Sequence, residues 1–299
     1  MGVVVQGGGR RIGHFAGRRL FRDMATHPTG FFGLLIVVVL LAIAISAPLL
    51  APYDDATQDI ARRLEGPSSN HPLGTDDLGR DLLSRIIIGS RVALGVAIPA
   101  VLGALLVGLV LGMVGGYLGG RVDYVLLVLI DTMLSFPAVI LALALLAVLG
   151  PSLRNVMLVI VVSFVPAYAR VARALVLAEK GKPYVEAERS LGARDWRIAT
   201  IHIMPNILAP LLILVAMDIP SAIAVEAGLS FLGLGVQPPT PSWGVILADG
   251  FERVRDTPWP VLWTGLALMT TTLGFTLLGE MLRDIVDPRV SEWRRWQRP

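Results

Sequence analysis

Long apolar runs alternate with short polar ones along this chain. A helix rising 1.5 Å per residue needs about 20 apolar residues to cross roughly 30 Å of hydrocarbon, and six segments meet that length. Phe31 to Leu50 and Val92 to Gly120 contain no charged residue, and Tyr124 to Leu149 holds only Asp131. Asn155 to about Leu175 gains Arg170 and Arg173 in its last turns, where long cationic side chains can reach the headgroups. Ile207 to about Val225 contains Asp218 and stops near Glu226, and Val261 to Gly279 is again free of charge. The pattern predicts an all-α membrane protein with six transmembrane helices.

The polar stretches have patterns of their own. From Ala51 to Arg91 the chain is broken by Pro52, Pro67 and Pro72. A short interfacial helix is then expected over Asp76 to Ile88, with Leu78, Leu82, Leu83, Ile86 and Ile87 at helical spacing. Gly108, Gly112, Gly116 and Gly120 recur every four residues, a ridge of the kind that lets two membrane helices approach closely. From Lys182 to His202 charged residues mix with Leu191, Trp196, Ile198 and Ile201, which predicts two short amphipathic helices lying at the membrane surface. Gly192 is the natural break between them, Asp195 can cap the second, and Pro205 suits the first turn of the fifth span. Pro238, Pro239 and Pro241 exclude helix and predict a rigid turn after the fifth span, with Trp243 and Trp259 suited to the headgroup level. The alternative for that stretch is a re-entrant plug.

Composition agrees: 54% hydrophobic residues, 16% charged and a mean hydropathy of +0.68 exclude an ordinary soluble domain. Basic residues decide orientation, because cytoplasmic loops accumulate them. Eighteen of the 26 lysines and arginines fall before the first span, between the second and third, between the fourth and fifth, and after the sixth. Both termini are therefore expected in the cytoplasm. This gives a cytoplasmic segment 1–30, an anchor helix 31–50, an outer loop 51–90 and a five-helix core 91–283, with a cytoplasmic loop 179–206 and an outer loop 227–260 inside that core. A cytoplasmic tail 284–299 follows. Ala42-Ile43-Ala44 resembles a signal-peptide cleavage site, but the apolar run continues past it, so the anchor is expected to be retained.

Chemistry is sparse. There is no cysteine, and His14, His27, His71 and His202 lie far apart without metal-ligand spacing. No metal site and no nucleic-acid partner are expected. The chain has no G-x-x-x-x-G-K-[ST], so no phosphate-cradling loop, and no G-x-S-x-G or H-E-x-x-H. It is expected to be a non-enzyme. Carboxylates inside spans are costly in lipid and point to a cavity or a partner: Asp218 lies about 16 Å along the fifth span, near the midplane, and is the first choice for lining a translocation path. Asp131 and Glu226 lie nearer helix ends. The same three residues would serve a proton relay in an ion-coupled secondary transporter, the alternative function.

The segment Tyr184 to Asn206, YVEAERSLGARDWRIATIHIMPN, resembles the EAA loop of permease subunits in bacterial ABC importers, with Gly192 six residues after Glu186 and Pro205 nineteen after it. HPLGTDDLGRDLLSRIIIGSR (His71 to Arg91), EAGLSFLGLGVQPPTPSWG (Glu226 to Gly244) and LGEMLRDIVDPR (Leu278 to Arg289) are similar to stretches of the C-type subunit in dipeptide, oligopeptide and nickel importers. The resemblance implies a type I importer permease that moves peptides or a small solute such as nickel. Glu186, Ala187, Glu188, Gly192, Ala193 and Pro205 would form its ATPase-coupling loop. Two departures stand out: the third motif position, usually alanine, is Glu188, and His202 and Met204 replace aliphatic residues. The resemblance also implies partners: a homologous second permease, two ATPase subunits that use ATP and Mg, and an extracytoplasmic solute-binding protein. No cofactor is implied for the chain itself.

Overall fold

The computed structural model describes residues 28–286. The predicted termini, His14 and His27, and the end of the LGEMLRDIVDPR stretch lie outside them. Among the described residues, besides a short 3-10 turn at Ile60–Arg62, nine helices follow one another: α1 (Pro28–Leu50), α2 (Leu82–Leu118), α3 (Gly120–Leu134), α4 (Ala138–Leu149), α5 (Leu153–Lys180), α6 (Pro183–Ser190), α7 (Asp195–Phe231), α8 (Trp243–Glu252) and α9 (Trp259–Val286). Helix α7 contains a π-helical turn, Ile198–Ile203. No strand occurs among the described residues, only an isolated bridge between Thr75 and Asp81.

Five of the six expected spans are continuous helices, and the third is broken. Helices α3 and α4 meet at 91° across Ser135 to Pro137. Pro137 has no N–H to donate, and its ring disfavours helical backbone at Phe136. Ser135 closes α3 by donating both its N–H (3.0 Å) and its hydroxyl (2.8 Å) to the Asp131 carbonyl. Pro99, Pro166, Pro210 and Pro220 sit inside helices that continue, so proline alone does not cause the break.

Helix α2 packs most extensively on α5, along the glycine ridge. A methyl at Gly108 would lie 2.4 Å from Tyr168 Cβ, one at Gly112 2.6 Å from the Ala169 carbonyl oxygen, and one at Gly116 2.9 Å from Val176 Cβ. The missing side chains let the two backbones touch. Gly120, the fourth member of the expected ridge, takes no part. With Gly119 it adopts a positive φ (+59° and +70°) and turns the chain from α2 into α3.

The interfacial helix expected over Asp76 to Ile88 is not separate. Residues Thr75 to Asp81 form a folded loop, and α2 starts at Leu82 and runs unbroken into the second span. Asp81 caps it, accepting from Ser84 N (2.8 Å) and Ser84 Oγ (2.7 Å), while its other oxygen meets His71 Nδ1 at 2.9 Å. Asp76 accepts from Leu78 N and Arg80 N (2.9 Å each), Arg80 Nε (2.6 Å) and Arg85 Nη1 (2.7 Å). Both arginines extend towards Asp249 of α8, at 3.5 and 4.0 Å. Arg85 is 1% exposed, a charge tolerated only because Asp76 neutralises it. Helix α8 is held further by Ser242, whose hydroxyl caps it, and by Trp243, whose Nε1 donates to the Ile86 carbonyl at 3.0 Å. Trp243 is buried against Gly89.

Gly112→Leu should cost about 1–3 kcal/mol by overpacking the α2–α5 seam, read as a lower thermal midpoint in detergent. Gly265→Ala, where an added methyl meets nothing within 4 Å, should leave it unchanged. Desolvation, and then the neighbouring Asp77, push the Asp249 carboxyl up to about 6 against the pull of Arg80. The folded chain thus keeps a proton there that the unfolded chain has lost, so this contribution to stability is full below about 4 and lost as pH rises through about 6. The thermal midpoint of the wild type should therefore fall relative to Asp249→Asn between pH 4 and 7. A wild type that gains on the variant over that window would show the pairing with Arg80 and Arg85 to dominate.

Candidate functional site: the elbow and the membrane carboxylates

The polar island of the sequence folds as an elbow between α5 and α7. Pro183 opens α6 at a position whose N–H has no helical partner anyway. Gly192 ends it at φ +79°, with Gly192 N donating to the Arg189 carbonyl (2.9 Å) and Ala193 N to the Glu188 carbonyl (3.0 Å), the paired bonds that close a helix through a left-handed residue. The second amphipathic stretch is not a separate helix. Asp195 lies in the first turn of α7, which continues through the π turn into the fifth span. Pro205, with no N–H for the turn before it, follows that widened turn directly. Asp195 does not cap the helix; its Oδ1 accepts from Tyr117 Oη at 2.7 Å.

A hydrogen-bonded frame ties the elbow to three long helices. Lys180 Nζ donates to the Tyr117 carbonyl at 2.6 Å and lies 5.4 Å from the centre of the Tyr117 ring. Tyr184 Oη donates to Glu179 Oε2 (2.7 Å) and accepts from Asn206 Nδ2 (3.3 Å), which also donates to the His202 carbonyl (2.8 Å). Burial, then the bond to Glu179, raise the pKa of the Tyr184 phenol above its ordinary value. Val185, Ile198 and Ile203 plug the inner side, each fully buried. Sequence reading missed this frame, because Tyr117, Glu179, Lys180 and Asn206 lie in or beside spans and no local spacing connects them.

The outer side of the elbow is open. Glu186, Ala187, Gly192 and Pro205 are exposed, and Ala193 is half-buried. Leu191 and Trp196 project at 83% and 62% exposure, two large apolar groups on a polar surface. Glu188 is half-buried and turned inward, its Oε1 3.6 Å from His202 Nε2. The two departures from the loop motif thus face each other.

The three membrane carboxylates do not come together. Asp131 pairs with Arg170 of α5 at 2.5 Å, both side chains being exposed. Glu226 is fully buried; its Oε1 accepts from Ser230 Oγ at 2.8 Å, while Oε2 has no hydrogen-bond partner. That serine also accepts from Val236 N (3.4 Å) and so ties the proline-rich loop to α7. Asp218 is half-buried, has no cation at ion-pair distance among the described residues, and faces the buried hydroxyl of Tyr168 without closing a regular hydrogen bond. Asp218 and Glu226 stand about 12 Å apart along one helix, which is too far for a direct proton step.

Comparison with known proteins agrees with this architecture. Residues 104–292 match the family of binding-protein-dependent transport system inner membrane components. Residues 16–67 match the N-terminal TM domain of oligopeptide transport permease C. The chain is 46% identical over 266 residues to the dipeptide transport system permease protein DppC of Escherichia coli (strain K12), covering 87% of this chain and 89% of that one. It is 39% identical to the protein of the same description from Alkalihalophilus pseudofirmus, covering 92% and 90%. It is also 39% identical to the glutathione transport system permease protein GsiD of Pectobacterium atrosepticum, again covering 92% and 90%. Among solved structures, an inward-facing form of the MetNI methionine ABC transporter shares the fold, with a TM-score of 0.56, 16% identity, and coverage of 69% of this chain and 98% of that one. The ion-coupled alternative finds no support in these likenesses. A multi-pass bundle with a protruding elbow and no nucleotide-binding loop of its own, matched over most of its length, belongs to the family of binding-protein-dependent ABC importer permeases of the bacterial inner membrane.

Proposed function

We propose that the chain is one half of the pathway of a peptide importer, working with a homologous second permease, two ATPase subunits and an extracytoplasmic binding protein. Relatives named for dipeptide and glutathione transport support the substrate class. ATP and Mg would be used by the ATPase subunits. The observation that carries the reading is the elbow: an exposed surface of Glu186, Ala187, Leu191 and Gly192 on a rigid frame bonded to α2, α5 and α7. A partner that changes shape on binding ATP can move such a surface only as a unit, and the frame passes that displacement to the spans. Coupling of this kind requires the partner to bind the two pathway states with different affinity.

The elbow and both termini would face the cytoplasm, and the loops 51–90 and 227–260 the binding protein. Of the carboxylates, Asp218 is the one we assign to the translocation path. Asp131 is engaged by Arg170, and Glu226 fastens the outer loop through Ser230.

In proteoliposomes holding the assembled importer, Glu186→Ala and Gly192→Val should each lower ATP-driven uptake about tenfold, the effect of losing about 1.4 kcal/mol of coupling. Amounts of assembled protein should be unchanged. Normal uptake by both variants refutes the coupling role. Because the chain has no cysteine, one placed at Ala187 reports orientation directly; it should react with an impermeant maleimide only from the cytoplasmic side. Asp218→Asn should lower uptake of cationic peptides about fivefold relative to neutral ones, corresponding to about 1 kcal/mol of charge attraction. Equal effects on both would remove Asp218 from the path.

A further inference from the structure

Helix α1 is held unevenly. Near its start Gly30 and Gly33 press on α9, where added methyls would lie 2.4 Å from Met281 and 2.6 Å from Leu277. Nearer its end the contact with α2 opens into a shallow groove of about 420 Å³. Leu41 and Ile45 line one wall, Leu94, Ile98 and Pro99 the other. Gly95 leaves the floor open, since a methyl there meets nothing within 4 Å.

One charge stands at the rim. Arg91 is exposed and has no hydrogen bond or ion pair among the described residues. The next charged residue along the chain is Arg121, so Arg91 marks the boundary where α2 enters hydrocarbon and the groove descends below it. An apolar channel in lipid needs no special occupant, but an unpaired guanidinium above it selects an anion, and guanidinium binds phosphate in a bidentate fork. We propose that this groove is a binding site for an anionic phospholipid, its phosphate on Arg91 and one acyl chain along Gly95. The lipid completes the packing of α1 on the core where the protein itself leaves a gap. The site does not depend on what is transported.

The test is native mass spectrometry of the full chain, in the complex with which it is extracted, from nanodiscs holding equal amounts of phosphatidylglycerol and phosphatidylcholine. The wild type should retain phosphatidylglycerol about fivefold over phosphatidylcholine, the preference given by one basic residue at an anionic surface. Arg91→Gln should retain both equally. Gly95→Leu, which fits open space, should retain less of either while its thermal midpoint stays at the wild-type value. Three outcomes overturn the proposal: equal retention by the wild type, unchanged retention by both variants, or loss of the headgroup preference on adding inorganic phosphate with total lipid constant. The last would make Arg91 a site for free phosphate. A cross-link from a cysteine at Ile45 to a second permease subunit would likewise overturn it, by placing protein in the groove.

Discussion

The close approach of α2 and α5 is the contact on which the remainder of the bundle rests. Lipid tails are as apolar as leucine, so burying apolar side chains gives two membrane helices little reason to associate; packing does. Three glycines on α2 supply that packing by letting the Tyr168, Ala169 and Val176 turns of α5 come against the α2 backbone. Helix α2 is 37 residues long, about 55 Å at 1.5 Å per residue, so it reaches past the hydrocarbon at both ends. At one end its Asp81 and Arg85 organise the ion cluster that holds α8. At the other, Tyr117 receives Lys180 on its carbonyl and gives its hydroxyl to Asp195. One seam thereby fixes the spacing between the elbow and α8 at the far end.

Charge pairing explains features that apolar periodicity leaves unaccounted for. The carboxylates and arginines between His71 and Arg85 look solvent-facing by composition, yet Asp76, Arg80, Asp81 and Arg85 are all buried. Removing one partner would strand a buried charge at a cost of about 3–5 kcal/mol, so the cluster stands or falls as a unit. At the elbow, Glu188 and His202, each a departure from the loop motif when taken alone, stand 3.6 Å apart without a hydrogen bond.

The spans were legible because a bilayer enforces a length and forbids unpaired charge, two constraints written directly in Phe31–Leu50 or Val261–Gly279. The glycine ridge was legible for the same reason, a four-residue spacing being a helix face. What sequence could not show depends on neighbours in space. Pro137 breaks a span while Pro99, Pro166, Pro210 and Pro220 do not, and residue type alone does not separate them. The Tyr117–Asp195 bond joins residues 78 apart, and no periodicity records it. Asp195 next to Gly192 reads as a helix cap, but a tyrosine from α2 had the stronger claim on its carboxylate.

A device that passes on motion needs stiff parts and compliant ones in defined places. The stiff parts are the α2–α5 seam and the elbow frame, each closed by contacts from several residues. Interruptions of the helix ladder are most numerous in α7 and at the α3–α4 bend. In α7 a π turn is followed by Pro205, Pro210 and Pro220, each of which withholds a backbone N–H from the helix ladder. Helix α4 packs chiefly on α5 and adds little to the core beyond Ala142 and Leu146. Helix α7 is also the element that carries Asp195 at the elbow, Asp218 within a span and Glu226 beneath the proline-rich loop. On the proposed coupling, a displacement entering at Asp195 would pass along α7 through its π turn and three prolines, past Asp218, to the serine-bonded loop at its far end. On the proposed coupling, bending of α7 about its interrupted turns is a cheaper response to a push on the elbow than sliding α2 against α5, which would open the glycine seam.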